Sequence, residues 1–373
     1  MKQYKMMIAG LANPHAALYV NGAGRDTRLL DVIAISDFDN SRLEKARERA
    51  GDTAGKIAFY NDYIEMFDAH PEADAVMIGS DNIEHFAMFK EAVKRKLHIY
   101  MMKVISMDED ECRQMIEIEK SYEKVIAVEL ELHFNAQFAQ AKKLIDSGKI
   151  GEIKSIYLSN ISQSPCNYYL NWGDPLLSYG KRIPIRKGSN TWRGGAITDH
   201  PHPYDVVRWI TGAEFKTVTA VCADNQRAHL AVEDHAAITG ELSNGVKYFI
   251  NPSYSNLEER CDVRRLYWPK SLECNLKVTG TKGYVSADFF DRHSYILGPG
   301  FPSPNRMLVD GVPRMDGGLD DSLVGSFVAA IEGRRARPET GLAESYAAVR
   351  VMNAAYDSIY NGGKTIVLKE EKL

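Results

Sequence analysis

MMIAGLANPH, residues 6–15, decides how the chain is read. Four apolar residues run unbroken into Gly10, the pattern of a buried strand that ends in a turn. Asn13–Pro14 punctuates the turn, and a helix is expected over residues 15–22. The same unit then recurs. Apolar runs at 30–36, 75–79, 97–101 and 125–128 alternate with charged, helix-like stretches at 41–50, 84–96 and 108–122. Strands alternating with helices imply βαβ units and a mostly parallel, doubly wound sheet.

About the first 127 residues therefore read as an α/β domain of Rossmann type, and residues 128–373 differ in character. A helix over 136–147 ends at Gly148, and residues 153–162 alternate like a strand. Strand-like runs follow at 217–222, 235–242 and 246–254, the last two joined by Ser243-Asn244-Gly245, a good hairpin turn. A further pair, 276–279 and 284–288, flanks Gly280-Thr281-Lys282-Gly283, and helices over 320–331 and 342–360 close the chain. Hairpins after a parallel domain predict a second, α+β domain on a large mixed or antiparallel sheet. The irregular segment 163–192 carries Tyr168, Tyr169, Trp172, Tyr179 and Trp192. These rings suit either a wall that stacks on sugar C–H faces or a loop anchor on the core.

The chain has 373 residues and a formal net charge of −4, without a dense basic face. That argues against nucleic-acid phosphates or an anionic membrane as partners. Five scattered cysteines, odd in number and without CxxC spacing, fit a reducing cytoplasm better than a disulfide framework or a zinc site. No stretch has the length of a signal h-region or of a bilayer span, so a cytoplasmic location is expected.

In a Rossmann domain the first strand-to-helix turn receives the cofactor pyrophosphate. Here it reads Gly10-Leu11-Ala12-Asn13-Pro14-His15, with Ala12 and His15 at the second and third glycine positions of GxGxxG. Asp37 ends the second strand, where a carboxylate can bond the adenosine ribose and repel a 2′-phosphate, so NAD is expected over NADP. A capping role for Asp37 ahead of Ser41 is the alternative.

The densest chemistry lies in RGGAITDHPHPYDVVRWITG, residues 193–212. A helix should begin near Pro203 and close at Gly212. His202 and Asp205, three apart, can then share a face, as needed when a carboxylate orients a proton-moving histidine. Asp199, His200, His202 and Asp205 form an alternative metal-ligand set, but Pro201 and Pro203 restrict their convergence, and no metal is expected.

Together these segments resemble the glucose–fructose oxidoreductase / inositol dehydrogenase / MocA family over essentially the whole chain. Ser80-Asp81-Asn82-Ile83-Glu84-His85 is similar to its T-P-N-x-x-H, and residues 97–104, LHIYMMKV, to its GKHVxxEKP. Residues 144–153, LIDSGKIGEI, are similar to LIxxGxIGEI, and Gly194–Gly195 through His202, Asp205 and Gly212 to GGG…HxxDxxxxLxG. Met102 and Val104 stand at the glutamate and proline of the EKP motif, so the family's cis-proline cannot form. Thr198 stands where the family often has an aspartate, with Asp199 one place later.

The resemblance implies an NAD(P)-binding domain, hydride chemistry on sugars or cyclitols, and a homodimer or homotetramer formed through the C-terminal sheet. It carries the catalytic lysine to Lys103 and the catalytic histidine to His202, with Asp199 or Asp205 as the histidine's partner. The cofactor is expected against Gly10, Leu11, Ala12, Asn13, Asp37, Ser80, Asn82, His85 and Lys103. Substrate is expected against Lys103, Trp192, Arg193, His202 and Asp205. A non-catalytic cofactor or sugar sensor, or a redox-neutral enzyme using transient oxidation, is the alternative.

Overall fold

The computed structural model describes residues 2–13, 15–20, 28–162, 183–184, 192–222, 225, 232–254, 273–289, 293–297, 305–308 and 322–371. In the N-terminal part, β1 (Tyr4–Ala9), β2 (Leu30–Ser36), β3 (Ala58–Tyr60), β4 (Ala75–Ile78), β5 (His98–Met101) and β6 (Ile126–Val128) form one sheet. Its order is β3-β2-β1-β4-β5-β6, and every pairing is parallel. The inner strands are buried on both faces, which is why they read as unbroken apolar runs. Helices α1 (Asn40–Ala50), α2 (Tyr63–Ala69), α3 (Asn82–Lys94) and α4 (Glu109–Glu119) connect the strands.

Two features differ from the sequence reading. The edge strand β3 is only three residues long, too short for a periodic signal. The helix expected over 15–22 is, in its described part, a single 3-10 turn, Ala16–Tyr19. The cap of α1 is Asp39, whose side chain accepts the Ser41 amide, so Asp37 is not the capping residue.

After β6 come a 3-10 turn at Glu131–Phe134 and α5 (Ala136–Asp146), capped by Asn135. The second sheet then opens with β7 (Ile153–Ser162). Two short strands, β8 (Ile183–Pro184) and β9 (Trp192–Arg193), pair with each other. A one-turn helix α6 (Ala196–Asp199) precedes α7 (His202–Thr211), which Gly212 closes in the left-handed conformation, as the sequence predicts. Further strands are β10 (Thr217–Val221), β11 (Ala237–Glu241), β12 (Lys247–Tyr254), β13 (Glu273–Gly280), β14 (Tyr284–Asp288), β15 (His293–Leu297) and β16 (Asn305–Leu308). With β17 (Ile366–Val367) they form a nine-stranded sheet, order β16-β15-β14-β13-β7-β12-β11-β10-β17. Only β7 and β12 pair in parallel; the other pairings are antiparallel. The mixed sheet expected after residue 128 is therefore present.

α5, α7 and the long α9 (Leu342–Tyr360) lie against this sheet, and α9 also packs on α4. α8 (Leu323–Ile331) instead returns to the N-terminal sheet. Its Leu323, Val324, Phe327 and Val328 join the core of Tyr4, Tyr19 and Tyr100. Thr340 bonds Val128 in both directions, its carbonyl accepting the Val128 amide at 3.2 Å and its hydroxyl donating to Val128 O at 2.6 Å. The C-terminal segment thus knits the two halves together. Across the nine-stranded sheet, Tyr157 and Phe249 are exposed and sit side by side in register. Among the described residues no helix is long and apolar enough to cross a membrane.

Candidate active site

The strand order reverses between β1 and β4, and ligands of open α/β sheets bind in the crevice at the carboxyl ends of strands at such a point. Gly10 lies there with φ +87°, and a Cβ on it would stand 2.5 Å from Ser80 Cα, so the turn runs hard against the end of β4. The turn is anchored on both sides. Asn13 donates its amide to Gly79 O at 2.8 Å and its side-chain Nδ2 to Lys103 O at 3.1 Å. Its Oδ1 accepts the His15 amide at 2.9 Å.

Asp37 is buried beside this turn. Its Oδ2 accepts the Leu11 amide at 2.7 Å and its Oδ1 the Asp39 amide at 2.8 Å, with Arg42 3.5 Å away. Burial lifts its pKa above the usual carboxylate range, against the opposing pull of Arg42 and the two amides. The turn, the acidic end of β2, Ser80 just after β4 and Asn82 opening α3 together fit a dinucleotide. His85 does not join them. It is fully enclosed, its Nε2 3.0 Å from Ser80 O and its Nδ1 3.0 Å from Val104 O, so it braces the two loops rather than a ligand. Burial pushes its pKa down to about 4, which keeps it neutral.

The loop braced this way presents Lys103. The Lys103–Val104 peptide is cis although Val104 replaces proline. Lys103 Nζ donates to Asp199 Oδ1 at 2.9 Å and to Asp199 O at 2.6 Å, and both side chains are nine-tenths or more buried. Burial works against the Asp199 charge, but the Lys103 ammonium beside it holds the carboxyl below its usual range. Asp199, one place later than the family's aspartate, thus reaches the lysine through the last residue of α6.

Thr198 serves a different purpose. Its Oγ1 lies 3.0 Å from Tyr356 OH, which accepts the Gly194 and Gly195 amides at 3.1 and 3.2 Å and donates to Glu233 Oε1 at 2.8 Å. A Cβ on Gly195 would sit 2.3 Å from the Glu233 backbone and carboxylate, which explains the second glycine of the pair. This hub holds α6 in place. Tyr356→Phe should lower stability by about 3 kcal/mol, because two buried amides lose their acceptor. Chemical denaturation measures it.

His202 opens α7 and is 6% exposed, and its Nδ1 has no hydrogen-bond partner among the described residues. Burial pushes its pKa to about 4; Glu131 foremost, then Glu129, oppose this, while Lys103 and His15 reinforce it. Neither aspartate expected to orient it does so. Asp199 is held by Lys103, and Asp205 points away, its Oδ2 2.9 Å from His133 Nε2 in a close ion contact. His133 also lies 3.4 Å from Glu339 and stacks on Trp209 at a centroid distance of 4.3 Å. Asp205 therefore belongs to a structural pair, which corrects its assignment to the substrate.

Burial opposes protonation of His133, but Asp205 and then Glu339 lift its pKa to about 9. A histidine whose folded pKa is raised contributes stability in full below its ordinary value near 6.5, and loses it as pH rises through about 9. Asp205→Asn should thus cost about 3 kcal/mol at pH 6 and distinctly less above pH 9, read from denaturation at both values.

The alternative metal-ligand set does not converge. His200 places Nδ1 2.8 Å from Ala196 O and packs on Tyr254, while Asp199 and Asp205 face Lys103 and His133. Trp192 and Arg193 lie in β9 at the entry to the glycine pair; their side chains, and Tyr168, Tyr169, Trp172 and Tyr179, fall outside the described residues. Sequence reading missed Glu129 and Glu131. They follow β6 directly, and carboxylates alternating with leucine at the carboxyl end of a parallel strand were the available signal. Glu129 is fully buried and faces His15 Nδ1 at 2.9 Å.

Residues 5–130 match the family model described as an oxidoreductase family with an NAD-binding Rossmann fold, and residues 138–286 match the GFO/IDH/MocA C-terminal domain. The chain belongs to the GFO/IDH/MocA oxidoreductase family. Residues 5–130 are its NAD-binding Rossmann domain. This family member is 25% identical over 261 residues to myo-inositol 2-dehydrogenase of Thermotoga maritima, covering 69% of this chain and 67% of that one. Its fold matches scyllo-inositol dehydrogenase from Lactobacillus casei, solved with NAD(H) and scyllo-inositol, at TM-score 0.73 and 16% identity, over 98% and 99% of the two chains. It also matches aldose-aldose oxidoreductase from Caulobacter crescentus, solved with glycerol, at TM-score 0.75 and 18% identity, over 98% and 100%.

Proposed function

We propose that this GFO/IDH/MocA member is an NAD-dependent dehydrogenase or reductase acting on a CH–OH carbon of a cyclitol or sugar. The observation that carries the reading is the buried Lys103–Asp199 pair, set beside the neutral imidazole of His202 at the carboxyl edge of the Rossmann sheet. The names of the inositol-oxidising relative and of the two sugar- and cyclitol-handling folds favour the substrate class.

In this reading Gly10, Leu11, Ala12 and Asn13 hold the pyrophosphate, and Ser80 and Asn82 flank it. Asp37 bonds the adenosine ribose, and its charge disfavours a 2′-phosphate. Arg42, the nearby cation, is engaged by Asp37 and Asp39, which further favours NAD over NADP. Nicotinamide, when bound, supplies the hydride acceptor. Lys103 places its ammonium on the reacting oxygen and stabilises the negative charge that grows there. Asp199 keeps that ammonium charged and fixed. His202, neutral at pH 7, takes the hydroxyl proton as the C–H bond breaks. Trp192 and Arg193 belong to the substrate side of the same cleft.

The exposed Tyr157 and Phe249 support a homo-oligomer formed through the nine-stranded sheet, and the cysteine pattern supports a cytoplasmic enzyme. The reading is tested by following reduced-nicotinamide absorbance across a panel of inositols and aldoses with NAD and NADP. Turnover with NAD on at least one member supports it. Stabilisation by NAD without turnover on any substrate would leave a cofactor-binding sensor instead.

A further inference from the structure

The carboxyl edge of the Rossmann sheet carries a second group of side chains, which hydride transfer does not use. His15 stands where the dinucleotide loop would have its third glycine, and its imidazole crosses the crevice to the end of β6. Its Nδ1 is 2.9 Å from Glu129 Oε2 and 3.2 Å from Oε1. Glu131 completes the group: one donor atom each from His15, Glu129 and Glu131 lies within 4.8 Å of the others, and both carboxylates are buried.

The backbone holds all three in place. Asn13 Oδ1 binds the His15 amide, the Glu129 amide donates to Met101 O at 2.9 Å, and Glu131 begins the 3-10 turn after β6. Two buried carboxylates this close repel one another, and a shared cation offsets that repulsion.

The spacing identifies the kind of cation. Ligands at about 2.1 Å from a shared ion stand roughly 3–4 Å apart, within the spread of this group. A second observation points the same way. His202, 6% exposed, has Glu131 as its foremost charged neighbour and Glu129 as a further one, and its buried Nδ1 has no hydrogen-bond partner among the described residues. An oxygen held on an ion gives that nitrogen the acceptor it lacks. One imidazole with two carboxylates suits manganese or zinc better than magnesium or calcium, which favour all-oxygen sites.

We propose that His15, Glu129 and Glu131 form a binding site for a divalent transition-metal ion, Mn²⁺ or Zn²⁺, with His202 as its hydrogen-bonding neighbour. Three protein ligands leave positions open on the ion for water or substrate oxygens. The site stands on its own geometry and holds whichever substrate the enzyme uses.

The test is titration of the chelator-stripped full chain with Mn²⁺, followed by the loss of its free electron-resonance signal, and with Zn²⁺ by calorimetry. His15→Gln and Glu131→Gln are measured beside the wild type, with far-ultraviolet circular dichroism confirming that each variant is folded. One ion per chain, with affinity reduced at least about 100-fold in both variants, is the expected result. Should Glu131→Gln fail to fold, the partly exposed His15→Gln carries the test alone. No saturable binding of either ion at millimolar concentration overturns the proposal, as does binding that a folded variant leaves unchanged.

Discussion

Lys103→Met is expected to cut turnover on the physiological substrate by about 100- to 1,000-fold, the usual cost of removing a donor aimed at developing oxyanion charge. The same change should reduce stability at neutral pH by about 3–5 kcal/mol, because it leaves the Asp199 carboxylate buried without its partner. A pairing variant separates the two effects. Lys103→Met combined with Asp199→Asn removes the stranded charge and should recover much of the stability while activity stays low. Denaturation curves and steady-state kinetics on the wild type, the single variant and the double variant measure both. A double variant that regained activity would show that Lys103 acts only as the counter-ion of Asp199.

His202→Ala should lower kcat by about 100- to 10,000-fold, the range for losing a positioned proton acceptor. The pH dependence of the wild type is the sharper signature. A base must be unprotonated to act, and burial pushes the His202 pKa to about 4. The acid limb of kcat/KM should therefore fall near pH 4, leaving activity level across pH 6–8, and His202→Ala should abolish that limb. An acid limb near 6.5 that survives in His202→Ala would assign the proton to another group.

Much of the fold was legible because its strands are buried on both faces. β1, β2, β4, β5 and β6 read directly as apolar runs separated by helices, and β7, β14 and α9 begin and end where their patterns do. What was lost was short or local. β3 is three residues at a sheet edge, and the first helix shrank to one 3-10 turn at Ala16–Tyr19. The site was legible in its members more than in its pairings. Lys103 and Asp199 lie 96 residues apart, and no local rule joins them. Helical spacing put His202 and Asp205 on one face, but His133, arriving from a turn 72 residues before Asp205, claims that carboxylate. His15 read only as a missing glycine, and its contact with Glu129 joins the loop after β1 to the end of β6, three strands away in the sheet. Contacts between distant strand ends are fixed by topology, and one-dimensional periodicity does not encode them.

The central claim is that hydride passes directly from a polyol carbon to the nicotinamide. Mass spectrometry of the reduced cofactor, formed from NAD and an inositol deuterated at its carbinol carbons, tests this most directly. The account predicts NADH one mass unit heavier than that formed from the unlabelled inositol, with Lys103→Met forming it far more slowly. Unlabelled NADH formed from the deuterated inositol would contradict it.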